Sequence, residues 1–273
     1  MNKFIIFIVV ITIIIIYIIH NKYKQFKPKY NENTILNISK INNKNRHVPL
    51  SDENNNYAKF SKLTSRLPSF FKYPKYYSSH PQEYIINKGE YLYIPKKWWH
   101  WIVSFRDEDE YSFSCNFWFE KEINKSIPYV SKYIDNNVNT DILNKFQKEI
   151  DTNNTELSLW CDNDDKKYKT TLKDFITNKE KYKKCYLLTL PAYEVIKNNK
   201  NNGTFFDDFK KNIPIPAVIK DNKIEKLNFW MNNGNVDSGL HYDKSEGIMC
   251  VLNGRKIVTL FPPSDSQYLY PYE

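Results

Sequence analysis

Residues 241–243 read His-Tyr-Asp, inside the stretch SGLHYDKSEGIMCVLNGRKIVTLFPPSD of residues 238–265. In an extended strand, residues i and i+2 face the same side. His241 and Asp243 therefore present an imidazole and a carboxylate together, with Tyr242 turned away. Such a pair supplies two of the three ligands of a 2-His-1-carboxylate facial triad. That triad holds Fe(II) on one side and leaves positions open for an oxidant and a cosubstrate. The same pair also occurs as a solvated contact at a strand end, so taken alone it leaves both readings open.

Two further residues bear on the choice. Lys256 opens the apolar run KIVTLF. A lysine entering a buried strand needs an anionic partner, because an unpaired buried charge is costly. A bound dicarboxylate would serve, and so would a side chain that snorkels from the strand end. His100 stands inside WWHWIV, flanked by Trp98, Trp99 and Trp101. A histidine among so many rings is either a packed core residue or a ligand in a dry pocket. His20 borders an apolar run, and His47 and His80 sit in polar stretches, which leaves His100 as the candidate third ligand.

Period-two alternation, Gly and Pro set the elements that must position these groups. Strands are expected at 83–87, 91–95, 98–105 and 111–119, joined by short turns in what reads as an antiparallel meander. Further strands are expected at 185–193, 226–233, 239–243, 247–254 and 255–263, with Gly254 in a tight hairpin turn between the last two. Residues 121–184 carry apolar residues at helical spacing around Val138, Ile142, Leu143 and Phe146, and again over 171–184. The expected fold is mainly β, a double-sheet jelly roll with helical insertions. The chain divides into 1–22, a polar tether 23–70, a β block 71–120, a helical insertion 121–184 and a second β block 185–273.

Residues 4–19, FIIFIVVITIIIIYII, carry no charge. They predict an uncleaved single-pass transmembrane helix, since no small-residue cleavage site follows. Lys22, Lys24, Lys27 and Lys29 after the run outnumber Lys3 before it, which places the C-terminal part in the cytosol. The formal net charge is +9, but the lysines are scattered and no nucleic-acid motif accompanies them, so nucleic acid is not expected as a partner. Cys115, Cys161, Cys185 and Cys250 are far apart with no Cys-X-X-Cys, which excludes a zinc ribbon and predicts four reduced thiols.

Two extended motifs, KGEYLYIPKKWWHWIVS…SCNFWF and SGLHYD…GRKIVTLFPPSD…LYP, resemble the JmjC-type, cupin-like 2-oxoglutarate/Fe(II) oxygenases, and most of all their asparaginyl hydroxylase-like branch. The resemblance covers residues 74–119 and 185–271. It implies a double-stranded β-helix in which His241, Asp243 and His100 ligate Fe(II) and Lys256 grips the distal carboxylate of 2-oxoglutarate. It further implies that Ser238 helps bind that carboxylate and that Asn116 lies near metal and cosubstrate. Pro95, Trp98 and Trp99 match the signature before the distal histidine. Gly247 departs from the family, which often has a polar residue there.

The order of the motifs also departs, because His100 precedes His241 by 241 − 100 = 141 residues, whereas the family's His-X-Asp comes first. A circularly permuted barrel closing one site would explain this. So would two chains complementing each other's half-domains as a homodimer, or a degenerate, metal-free scaffold, with or without a truncated reading frame. The expected activity is a membrane-anchored Fe(II)/2-oxoglutarate-dependent hydroxylase of protein side chains. The alternative is a cupin-like binding or scaffold protein without catalysis.

Overall fold

The computed structural model describes residues 17, 58–105, 111–120, 123, 127–134, 144, 156–161, 164–182, 185–191, 213–233 and 236–272. The expected strands form close to where alternation and breakers place them. In chain order they are β1 (Ala58–Phe60), β2 (Gln82–Asn87), β3 (Glu90–Ile94), β4 (Trp99–Phe105) and β5 (Ser112–Phe119). Then come β6 (Tyr129–Lys132), β7 (Glu156–Cys161), β8 (Asp164–Thr171), the helix α1 (Leu172–Thr177) and β9 (Cys185–Pro191). The chain continues with β10 (Ile224–Asn232), β11 (Val236–Asp237), β12 (His241–Asp243), β13 (Glu246–Asn253) and β14 (Arg255–Phe261).

All the named strands pair antiparallel, in two sheets. One runs β1-β12-β4-β14-β2, with β11 also on β4; the other runs β6-β3-β13-β5-β10-β9-β7-β8. The expected meander is corrected here. Strands β2, β3, β4 and β5 alternate between the two sheets, and no two of them in succession pair with each other. This alternation is the mark of a jelly roll. It buries one face of each sheet against the other: Ile86, Val258 and Leu260 of the first sheet pack with Leu92, Ile94, Met249 and Val251 of the second.

The hairpin expected at Gly254 is likewise a crossing between sheets, since β13 and β14 belong to different ones. Gly254 takes φ +71, and a Cβ there would lie 2.4 Å from the Phe105 carbonyl oxygen. Both the left-handed backbone and the contact with fixed backbone reject a side chain. Gly254→Ala is expected to destabilise the fold by about 1–3 kcal/mol, read as a fall in the urea midpoint with an unchanged m-value.

A second layer covers the outer face of the first sheet. Trp99, Trp101, Val103, Ile257 and Phe261 pack there with Leu63, Tyr76 and Leu269. Residues 58–70, read from sequence as part of a polar tether, therefore supply both a strand and core contacts. Within 121–184, read as helical, the described residues hold β6, β7, β8 and one six-residue helix. Thr171 caps that helix by accepting from the Asp174 N–H at 3.1 Å. The candidate helix around Val138–Phe146 lies outside the described residues apart from residue 144.

The single-pass membrane localisation is corrected: among the described residues no helix is long and apolar enough to cross a membrane. Apart from residue 17, the run 4–19 lies outside them. The expectation of four reduced thiols is corrected too. Cys115 and Cys250 are free and buried, but Cys185 is disulfide-bonded. Antiparallel pairing of β7 with β9 sets Cys185 opposite Cys161, a closeness that their separation in sequence hides.

Candidate metal and cosubstrate site

Alternation along WWHW sorts its side chains. Trp99 and Trp101 face the outer layer, while His100 faces the space between the sheets and is 3% exposed. Strand β12 pairs with β4 so that His241 stands directly opposite His100. The loop before β12 is fixed by Asp237, which accepts from the Trp101 indole N–H and, at 2.7 Å, from the Gly239 N–H. The turn before β4 is tied to the other end of β12. Lys97 takes the left-handed φ of 66 and donates its N–H to the Asp243 carbonyl at 2.8 Å.

The result is one cluster, His100, His241 and Asp243, whose ligand atoms all lie within 4.8 Å of one another. They meet within one chain. His100 donates Nδ1–H to the Trp98 carbonyl at 3.0 Å, and His241 donates Nδ1–H to the Gly239 carbonyl at 3.1 Å. The two Nε2 atoms face each other at 3.0 Å, close enough to share one proton or one metal ion. Two nitrogens bound at about 2.1 Å and at right angles on one metal would stand about 3.0 Å apart, so the spacing fits adjacent ligands of one ion. Burial, and then the neighbouring His100, hold the His241 pKa down at about 4, against the pull of Asp243. At neutral pH the imidazole is therefore neutral and free to ligate. The Asp243 carboxylate completes the set, with Oδ2 3.7 Å from His100 Nε2 and accepting the Trp118 indole N–H at 3.0 Å.

A small pocket opens beside these groups. His100, Asp243, Asn116, Trp118, Gly247 and Met249 are among its lining residues. A Cβ at Gly247 would meet the Ile94 carbonyl at an ordinary 3.6 Å, so the missing polar side chain leaves room rather than relieving a clash. Lys256 stands opposite Ser104 in the β4–β14 register, on the same inter-sheet face as His100. Its Nζ donates to Ser104 Oγ at 2.7 Å, no carboxylate pairs with it among the described residues, and burial lowers its pKa to about 7. Asn116, Asn228 and Ser114 point to this inter-sheet face, and Asn116 Oδ1, Asn228 Oδ1 and Ser114 Oγ are buried without a hydrogen-bond partner among the described residues. A polar cosubstrate with carboxylates and a keto group fits such a lining.

Ser238 is placed differently. Its Oγ accepts the Ile102 N–H at 3.1 Å and donates to the Gly239 carbonyl at 3.0 Å, which engages it in the edge of β4. Ser104, Trp118, Ser114 and Asn228 were not singled out from the sequence. The available signal was period two: Ser104 is four residues after His100, and Trp118 two after Asn116.

The chain matches the model of the cupin-like domain over residues 20–125 and 129–273. It is 30% identical to a putative JmjC domain-containing protein of Acanthamoeba polyphaga mimivirus, over 87% of this chain and 42% of that protein. It is 33% identical to a lysine-specific demethylase of Arabidopsis thaliana, over 30% of this chain and 15% of that one. A bifunctional peptidase and (3S)-lysyl hydroxylase of Homo sapiens is 30% identical over 24% of this chain and 21% of its own. The chain thus spans less than half the length of these relatives. No solved structure matches.

Proposed function

The chain belongs to the cupin-like domain family, and from that premise we propose that it is an Fe(II)- and 2-oxoglutarate-dependent oxygenase that hydroxylates a side chain of a protein substrate. The observation that carries this reading is the pair of facing Nε2 atoms, 3.0 Å apart beside the Asp243 carboxylate. In this reading His100, His241 and Asp243 hold the iron, and Lys256 with Asn116 holds 2-oxoglutarate. Iron and 2-oxoglutarate together supply the oxidising power, one oxygen atom of O2 going to succinate as CO2 leaves and the other to a substrate carbon. The chain's own part is to orient, desolvate and exclude. Lys256 neutralises the distal carboxylate, the inter-sheet core keeps water from the cosubstrate, and the cavity beside Trp118 admits the side chain to be oxidised.

The motifs, in reversed order along the chain, would complete one site without a second copy, as in a circularly permuted barrel. Two of the relatives are named for chemistry on lysine, so lysine-containing peptides are the first substrates to try. The purified full chain, given Fe(II), ascorbate, O2 and 2-oxoglutarate, is expected to release succinate, followed by NMR. Absence of succinate above the metal-free control, with every peptide tried, would favour a binding or scaffold protein.

Trp118→Phe offers a finer check. It keeps an aromatic ring but removes the indole N–H that Asp243 accepts. Affinity for Mn(II), measured by equilibrium dialysis, is expected to fall about tenfold.

A further inference from the structure

We infer that Phe60 is a positioning residue for His241, and that the C-terminal segment 269–272 holds it in place; this rests on the metal-site reading above. Phe60 ends β1 and stands directly opposite His241 in the β1–β12 register. Its ring stacks on the imidazole, with centroids 5.0 Å apart and planes at 18°. The His100 ring also meets that imidazole, with centroids 4.1 Å apart and planes at 63°. His241 is thus held by a flat aromatic face, by the Gly239 carbonyl on Nδ1 and by the backbone of β12, leaving Nε2 directed at His100. Rotation about χ2 of a histidine is soft. A stacked ring restricts that rotation without offering a competing hydrogen bond.

Phe60 is itself anchored by backbone on both sides. The Tyr272 N–H donates to the Phe60 carbonyl at 2.8 Å, and the Lys62 N–H to the Tyr270 carbonyl at 2.8 Å. The Ser61 N–H donates to the Leu240 carbonyl at 2.9 Å, next to the ligand, and Ser61 Oγ donates to the Leu269 carbonyl. A chain of contacts therefore runs from the C-terminal segment through Phe60 to the imidazole.

The test is titration of the metal-free full chain with Co(II) alone, read by its visible absorption, alongside thermal melts of the apoprotein. The variants are Phe60→Leu, which keeps apolar bulk but loses the flat face, Phe60→Tyr, which keeps the face, and Phe60→Ala. We expect Phe60→Leu to weaken Co(II) binding about tenfold and to alter the absorption band, while the apoprotein melts as before. Phe60→Tyr should restore both affinity and band. If Phe60→Leu binds Co(II) like the unsubstituted protein and only its melting temperature falls, Phe60 is a packing residue and the inference is overturned. If the unsubstituted protein takes up no Co(II), the metal-site reading fails and this inference with it.

Discussion

His100→Ala is expected to abolish metal-dependent turnover, although His100 lies 141 residues before the other two ligands (241 − 100). The reason is geometric. The β4–β12 register puts the His100 and His241 rings in contact, and the nitrogen that faces His241 is Nε2, because Nδ1 donates to the Trp98 carbonyl. Loss of that nitrogen removes one of three protein ligands, so metal affinity should fall by more than the about 10–100-fold that loss of a supporting contact costs. The apoprotein, by contrast, should tolerate the change. It gives up the packing of one buried ring and its contact with His241, while the rest of the inter-sheet core stays in place. The measurement is a melting curve with and without Mn(II). A ligand that binds only the folded state raises its stability by mass action. The unsubstituted protein should therefore melt higher with Mn(II), and the His100→Ala protein at the same temperature with or without it. His241→Ala and Asp243→Ala should behave alike, since all three serve one ion. A metal-induced rise that survives in His100→Ala would detach that residue from the site.

The second large effect concerns Lys256, where stability and function should move in opposite directions. Burial lowers the Lys256 pKa from 10.5 to about 7. Between those values the unfolded chain binds a proton that the folded chain releases, so this residue makes stability rise as pH increases from about 7 to about 10.5. Below about pH 7 the ammonium is buried in the fold, donating to Ser104 Oγ, and the burden is greatest. Lys256→Met keeps the length and removes the charge. It is expected to stabilise the protein by about 1–4 kcal/mol at pH 7, with the gain shrinking toward pH 10.5. The same substitution should cost 2-oxoglutarate at least about 2 kcal/mol of binding, or about 30-fold in affinity. In the unsubstituted protein, affinity for 2-oxoglutarate should fall as pH rises above about 7, because the free lysine must first take up a proton. Calorimetric titrations in buffers of different ionisation heat would show that uptake. A Lys256→Met protein that is less stable at pH 7, yet binds 2-oxoglutarate normally, would deny the lysine its assigned role.

What could be read from the sequence, and what could not, divides along physical lines. Strand positions were legible because Pro, Gly and alternation are local signals: YLYIP and SCNFWF declare strands without outside help. Sheet membership was not, because a short turn such as Lys88-Gly89 permits both a hairpin and a crossing, and packing between sheets decides which forms. Strand β8, DDKKYKTT, was read as part of a helical insertion for a different reason. It lies at the edge of its sheet, where charged residues are favoured and apolar alternation is not required. The candidate ligand pair His241 and Asp243 was visible through its i, i+2 spacing, and His100 through its tryptophans. That the three meet follows from the long-range pairing of β4 with β12, on which no local signal bears. At Ser238 the sequence offered a position but not its contacts: the hydroxyl accepts the Ile102 N–H and donates to the Gly239 carbonyl. Phe60 sits in a stretch too polar to mark as structured, and its place against His241 rests on a three-residue strand.

The central claim is that one metal ion is held jointly by groups far apart in the chain. Anomalous scattering from crystals of the full protein grown with Mn(II) tests it most directly. The account predicts one strong peak bonded to His100 Nε2, His241 Nε2 and a carboxylate oxygen of Asp243. A map with no peak between these three, or with the metal held elsewhere, would contradict it.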